Sequence, residues 1–174
     1  MSPAEKSEII EMLEQSKEDF LAAARGLPEA LAKARPEENR WSVLECIEHV
    51  ATVEGVFLGR ISPGAPGAAP PADKAKEASL AERVFDRSTR RNAPEAVSPK
   101  GQLTSLAQGL EQFRNARAKS LQFARDNAAS LYSCTAAHPV FGPLNGVEAF
   151  IVIANHSRRH AEQIREARAV LEKT

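Results

Sequence analysis

The sequence contains few cysteines, no excess charge of either sign and no long apolar run. Two cysteines, Cys46 and Cys134, are too few for a disulfide scaffold, so we expect reduced thiols. The 23 basic and 23 acidic side chains cancel, which argues against a protein that binds nucleic acid through phosphate contacts. No apolar run approaches the roughly 20 residues that cross a bilayer, and the N-terminus lacks the apolar core of a signal peptide. We therefore expect a cytoplasmic protein with neither nucleic-acid nor membrane partners.

The length and composition are typical of one globular domain. The chain has 174 residues, of which 43% are hydrophobic and 26% charged. This length suffices for a full hydrophobic core, and no internal repeat divides it. We expect a single domain over residues 1–174.

Apolar residues recur mostly at three- and four-residue steps in four long segments, a spacing typical of amphipathic helices. Ser42 and Glu45 match the S-x-x-E capping box that begins a helix. The four predicted long helices are Pro3 to Arg25, Ser42 to about Ile61, Leu103 to Asp126, and Gly146 to Glu172.

Three further segments separate these helices. Residues 62–73 contain four prolines and two glycines, which predicts a flexible loop. A shorter helix is predicted from Ser79 to about Asn92, and the segment CTAAHPVFGPLNG (134–146) is interpreted as a loop. Because no strand pattern is evident, we predict an all-α four-helix bundle with an additional short helix and a Pro/Gly-rich loop.

Histidines are the residues most suggestive of chemistry. His156 and His160 lie four residues apart on the last helix, so their side chains share one face. His49 lies beside the apolar stripe of the second long helix. A histidine there is often a hydrogen-bonded core residue, yet bundle interiors also hold metals between facing helices. Three imidazoles suit zinc or nickel and leave one coordination position open, as in reactive sites.

Three segments of the sequence together resemble a known family. The stretches WSVLECIEHVATVE (41–54), HPVFGPLNG (138–146) and IANHSRRHAEQIREA (153–167) are similar to the DinB-like (YfiT-type) metal-binding four-helix bundles. The resemblance covers essentially the whole chain. It implies that the metal ligands are His49, His156 and His160.

The family is mixed in activity, so the resemblance leaves the reaction open. Some members resemble thiol transferases that use bacillithiol, mycothiol or glutathione, and others resemble isomerases or hydrolases. We expect a divalent-metal-dependent enzyme that activates a low-molecular-weight thiol or a water for transfer to, or hydrolysis of, a small-molecule substrate. The alternative is a non-catalytic, metal-stabilised bundle that acts as a binding or interaction module. A homodimer is a further expectation.

Five other residues near the histidines have competing interpretations. Cys46 is either a fourth ligand or nucleophile, or a small buried core residue, and we favour the latter. His138 is expected to be structural or substrate-facing. Trp41 is expected to anchor the helix start by packing, Glu45 to complete the capping box rather than bond His49, and Glu48 to be solvated.

Overall fold

Six α-helices are present in the part of the chain that this computed structural model describes, which comprises residues 2–65, 67–88 and 92–173. Among these residues, no helix combines the length and apolarity needed to span a membrane. Two 3₁₀ helices, at Glu95–Val97 and Ala128–Ser133, lie in the connections. The α-helices are α1 (Pro3–Ala24), α2 (Glu29–Lys33), α3 (Val43–Leu58), α4 (Lys74–Phe85), α5 (Leu106–Asp126) and α6 (Gly146–Leu171).

The four long helices match the predicted ones and start at polar caps. The Ser42 hydroxyl accepts the Glu45 N–H, while the Glu45 carboxylate accepts the Ser42 N–H at 2.7 Å. This reciprocal pair satisfies two backbone donors that the first turn leaves free. Asn145 and Glu148 form the same arrangement at the start of α6. The predicted start of the second long helix is therefore confirmed.

The bundle has an up-down-down-up arrangement of its long helices. Gly109 of α5 packs closely on Ile47, and Arg117 further along α5 pairs with Glu54 further along α3, so α3 and α5 run parallel. A Cβ at Gly109 would lie 3.0 Å from the Ile47 side chain, so a larger residue here would require that side chain to shift. The long connection that parallel neighbours require contains α4, which packs on α6.

The remaining helix pairs complete the bundle. Arg165 of α6 pairs with Asp19, and Arg168 donates to the carbonyl of Ala23, so α1 and α6 run parallel in extensive contact. The opposite direction of α3 and α6 brings the first half of α3 to the middle of α6. This crossing is where the candidate site lies.

The fully buried guanidinium of one α5 side chain bonds to the other three long helices. Arg117 of α5 makes a bidentate pair with Glu54 of α3, donates to Leu13 O and Ser16 Oγ of α1, and donates to Ser157 Oγ of α6. These five bonds match the five N–H donors of arginine. Arg117 was not among the residues predicted from the sequence to have a special role.

A small antiparallel sheet is present where only loops were predicted. Its strands are β1 (Ser62–Pro63), β2 (Cys134–His138) and β3 (Gly142–Asn145), in the order β1-β2-β3. The prediction that residues 134–146 form a loop is wrong. The strands are short and rich in alanine, glycine and proline, so they lack the β-branched alternation that identifies a strand in a sequence.

The predicted boundaries of the short helix are also wrong. Helix α4 begins at Lys74, because the Asp73 side chain caps it by accepting the Lys76 N–H at 3.0 Å. It ends at Phe85 rather than near Asn92, and residues 89–91 of the predicted span lie outside the described residues. The Ser79 capping pattern thus falls inside the helix. The short helix α2 was not predicted.

Candidate metal centre

The antiparallel crossing of α3 and α6 brings three histidine rings together. His156 and His160 lie on successive turns of α6, and His49 faces both of them from α3. The ring centroids are 4.6 Å apart for His156 and His160, 4.9 Å for His49 and His160, and 5.1 Å for His49 and His156. These three side chains were expected to converge, and they do. We call them the histidine cluster.

The nitrogen positions in the histidine cluster have the spacing of metal ligands. One ring nitrogen from each histidine lies within 4.8 Å of the other two. The Nε2 atoms of His49 and His156 are 3.3 Å apart. Two nitrogens bound to one tetrahedral zinc ion at 2.0–2.1 Å are separated by about 3.3–3.4 Å. This pair therefore already has the separation that an ion between them requires.

A backbone carbonyl orients the His49 ring. His49 Nδ1 lies 2.8 Å from the carbonyl oxygen of Val97, at the end of the first 3₁₀ helix. A carbonyl only accepts, so the proton of the neutral ring resides on Nδ1, and Nε2 presents a lone pair to the other histidines. Metal-binding histidines commonly donate their second nitrogen in this way. Val97 was missed, because nothing in a sequence indicates which backbone carbonyl a side chain reaches.

Glu48 holds the connection that carries Val97. The carboxylate is buried and accepts the backbone N–H groups of Lys100 at 2.9 Å and of Gly101 at 3.0 Å, with a longer bond from Gln102. The expectation that Glu48 is solvated is wrong. Its neighbour His49 points into the bundle, whereas Glu48 points towards residues 100–102 and ties them to α3.

Burial keeps the histidine cluster neutral. The pKa of His49 is lowered by desolvation, although its bond to Val97 opposes this shift. The pKa values of His156 and His160 are lowered well below 6.5, first by desolvation and then by neighbouring imidazoles and the charge of Arg159. Neutral imidazoles present lone pairs, so the cluster has the protonation state that metal binding needs.

His160 also has a polar atom without a partner. Its Nδ1 is buried and forms no hydrogen bond of normal geometry to any described residue, although the Gln163 side chain, one turn further along α6, is close enough to raise the pKa of His160 against the larger effect of desolvation. Buried polar atoms are normally hydrogen-bonded, and an exception suggests a missing ion or ligand. This atom and the close Nε2 pair both indicate that the donor set fits a bound metal ion.

Trp41 forms one wall of the histidine cluster. Its ring is 4.8 Å from that of His49 and stacks at 6.2 Å on that of His160. Trp41 directly precedes the cap of α3 and also packs on the apolar core. The expected packing role is confirmed, and the same ring shields two of the imidazoles.

The other candidates lie outside the cluster. Cys46 is fully buried in the apolar core, and burial raises its pKa to about 12, so its thiol is protonated and unreactive. His138 Nδ1 accepts the N–H groups of Val140 and Phe141, which is a structural role in the β2–β3 turn. Glu45 completes the capping box and pairs with Arg35. These partners, rather than His49, bind its carboxylate.

Comparisons with known proteins identify the family and the fold. The family model of the DinB superfamily matches residues 12–164. A search of curated proteins finds no match. The crystal structure of TT2238, a four-helix bundle protein, has a TM-score of 0.57 and 24% identity, covering 92% of this chain and 98% of that chain. YfiT from Bacillus subtilis, described as "a probable metal-dependent hydrolase with an unusual four-helix bundle topology", has a TM-score of 0.61 and 11% identity, covering 97% and 89%. At these identities the structures show a shared fold.

Proposed function

The chain belongs to the DinB superfamily, and we propose that it is a divalent-metal-dependent enzyme acting on a small-molecule substrate. His49, His156 and His160 would be the ligands. The observation that carries this proposal is the convergence of two buried imidazoles, those of His49 and His160, with the half-buried imidazole of His156, with ring nitrogens within 4.8 Å of one another. The description of YfiT as a probable metal-dependent hydrolase supports the same class of activity.

The donor set favours a borderline transition metal. Imidazole suits zinc and nickel, whereas magnesium and calcium prefer oxygen ligands. Three protein ligands leave a position for water or substrate, as in catalytic zinc sites. We therefore propose zinc or nickel.

The chain's own residues would prepare this site. A bound divalent ion supplies Lewis acidity that lowers the pKa of a water or a thiol. The Val97 carbonyl holds the His49 ring with Nε2 facing its partners, and Trp41 covers one side. Desolvation lowers the pKa of His156 first, and the charge of Arg159 lowers it further, so Arg159 contributes a positive potential at the site. Such a potential favours an anionic ligand, either hydroxide or the thiolate of a low-molecular-weight thiol.

The experiment compares metal-dependent turnover in two reactions. Protein purified without a metal-affinity tag is treated with chelator, then reloaded with zinc or nickel. Hydrolysis of small esters and amides is measured alongside conjugation of glutathione to a small electrophile. We expect turnover of one reaction only after reloading. The variant in which all three histidines of the cluster are alanine should show none.

The fourth histidine offers a matched control. His138→Asn keeps an acceptor for the turn amides and leaves the cluster intact, so its turnover should equal that of the parent chain. Equal turnover with and without chelator would contradict the proposal. Metal binding without turnover of either substrate class would instead favour the non-catalytic, metal-stabilised bundle.

A further inference from the structure

A buried polar bridge joins the two helices that carry the histidine cluster. Arg117 donates Nε to Glu54 Oε1 at 2.7 Å and Nη2 to Oε2 at 3.0 Å, and Nη2 also donates to Ser157 Oγ at 3.0 Å. Glu54 lies on α3, five residues after His49, and Ser157 directly follows His156 on α6. This Glu54–Arg117–Ser157 bridge therefore spans the same two helices as the proposed ligands.

Stability alone does not account for a buried ion pair at this place. Arg117 and Glu54 are 0% and 2% exposed, so both charges lose their hydration. Replacing a buried ion pair by apolar side chains of similar volume is often neutral or stabilising. Unlike apolar contacts, however, a bidentate guanidinium–carboxylate pair is directional. It therefore restricts the relative position of the helices along their axes more tightly than apolar packing does.

A metal site needs this directional control more than a core does. Metal–nitrogen bonds tolerate deviations of only about 0.2 Å. His49 on α3 must meet that tolerance against His156 and His160 on α6. A small slide of one helix past the other would preserve apolar burial yet separate the imidazoles.

We infer that Arg117 is a positioning residue, which acts through Glu54 and Ser157 to hold α3 and α6 in the register that lets the histidine cluster bind its ion. This inference rests on the proposed function. Among the described residues, Arg117 makes no hydrogen bond or ring contact with the three imidazoles. Apart from the small effect of its charge on the pKa of His156, it acts on the ligands through the position of the helices.

Two serines provide a matched pair of variants. Ser16 and Ser157 are both fully buried, both accept from Arg117, and each donates its hydroxyl to the carbonyl three residues before it. Ser16 lies on α1, which carries no histidine. Ser16→Ala and Ser157→Ala thus each remove one acceptor from the same guanidinium, but only Ser157→Ala breaks the bridge between α3 and α6.

The test measures Co²⁺ binding to each variant by visible absorption and by fluorescence of Trp41, the only tryptophan of the chain. We expect Ser157→Ala to bind Co²⁺ about tenfold more weakly, with an altered absorption spectrum, as found when groups that support ligands are removed. Ser16→Ala should bind within about twofold of the parent chain, although both variants should lose similar thermal stability. Ser157→Thr, which restores the hydroxyl, should recover the affinity and the spectrum.

A second variant and two outcomes complete the test. Glu54→Asp keeps the charge pair but shortens the bridge, and it should also weaken Co²⁺ binding. Equal affinities and identical spectra for Ser16→Ala and Ser157→Ala would overturn the inference while leaving the proposed function intact. Absence of Co²⁺ binding by the parent chain would overturn the proposed function, and the inference with it.

Discussion

Two polar clusters are buried in this bundle, and they differ in whether the chain satisfies them. The guanidinium of Arg117 finds five acceptors on three other helices, including both oxygens of Glu54. In the histidine cluster, by contrast, the Nε2 atoms of His49 and His156 lie 3.3 Å apart, where His156 can donate to His49 only if it carries its proton on Nε2, and Nδ1 of His160 has no hydrogen-bond partner among the described residues. A cluster whose polar atoms are all bonded is structural, whereas one that keeps a buried nitrogen without a partner is suited to a ligand.

The comparison predicts different responses to the same kinds of change. The Arg117 cluster depends on its own members, so losing one of them leaves the others buried and unpaired. The histidine cluster should instead respond to metal and to pH, because its imidazoles can bind an ion or a proton from the solution. The predictions below begin with the largest expected effect.

Breaking the closed cluster should cost the most stability. Arg117→Met leaves the Glu54 carboxylate buried without its partner, and we expect the free energy of unfolding to fall by about 3–5 kcal/mol. Urea denaturation followed by circular dichroism measures this. Arg125→Met, on the same helix, removes a half-exposed ion pair with Glu14 and should cost less than about 1 kcal/mol. Similar losses for both variants would contradict the distinction.

Filling the open cluster should add stability. Zinc or nickel at about 100 times its dissociation constant should raise the free energy of unfolding by about 2.7 kcal/mol, since the ion binds the folded state. The chain lacking all three histidines of the cluster should show no increase. If that variant were stabilised equally, the ion would bind elsewhere.

Acid should weaken the metal-free chain through the histidine cluster. Folding lowers the pKa of His160 well below 6.5, so below that pH the unfolded state takes up a proton before the folded state does. The stability is therefore present above pH 6.5 and is lost as the pH falls. His160→Leu should reduce the slope of unfolding free energy against pH by about 1 kcal/mol per unit between pH 6.5 and 5.5. An unchanged slope in urea denaturation at several pH values would contradict a buried, neutral His160.

The smallest effect is expected at Glu48 of α3, which holds residues 100–102 of the connection between α4 and α5. Glu48→Gln weakens the anchor of residues 100–102, and we expect a loss of about 1 kcal/mol and faster hydrogen exchange at the Lys100 and Gly101 amides. The exposed Glu38→Gln serves as a control and should leave both unchanged. Unaltered exchange at these amides would show that Glu48 does not hold the loop.

The sequence predicted the features that depend on local pattern. Helical periodicity located the four long helices, and the Ser42–Glu45 pair located the start of α3 because a capping box is complete within four residues. The four-residue spacing placed His156 and His160 on one face. Periodicity alone could not show that His49 lies beside them, because this depends on which helices pair. The family resemblance predicted that pairing, and the structure brings the three histidines together.

The features that were missed depend on contacts distant in the sequence. Arg117 and Glu54 are 63 residues apart, and each looks like an ordinary surface residue in its own helix. The bond from His49 to Val97 and the one from Glu48 to Lys100 span 48 and 52 residues. Periodicity describes one helix at a time, so it could not show which polar side chains the bundle buries.

The most direct test of the central claim is the metal content of the protein. Elemental analysis of the chain purified without a metal-affinity tag should find about one equivalent of zinc or nickel per chain. His156→Ala should retain far less, while His138→Asn should retain as much as the parent chain. Equal metal content in the parent chain and His156→Ala, or no transition metal in either after reloading, would contradict the claim that the histidine cluster is a metal site.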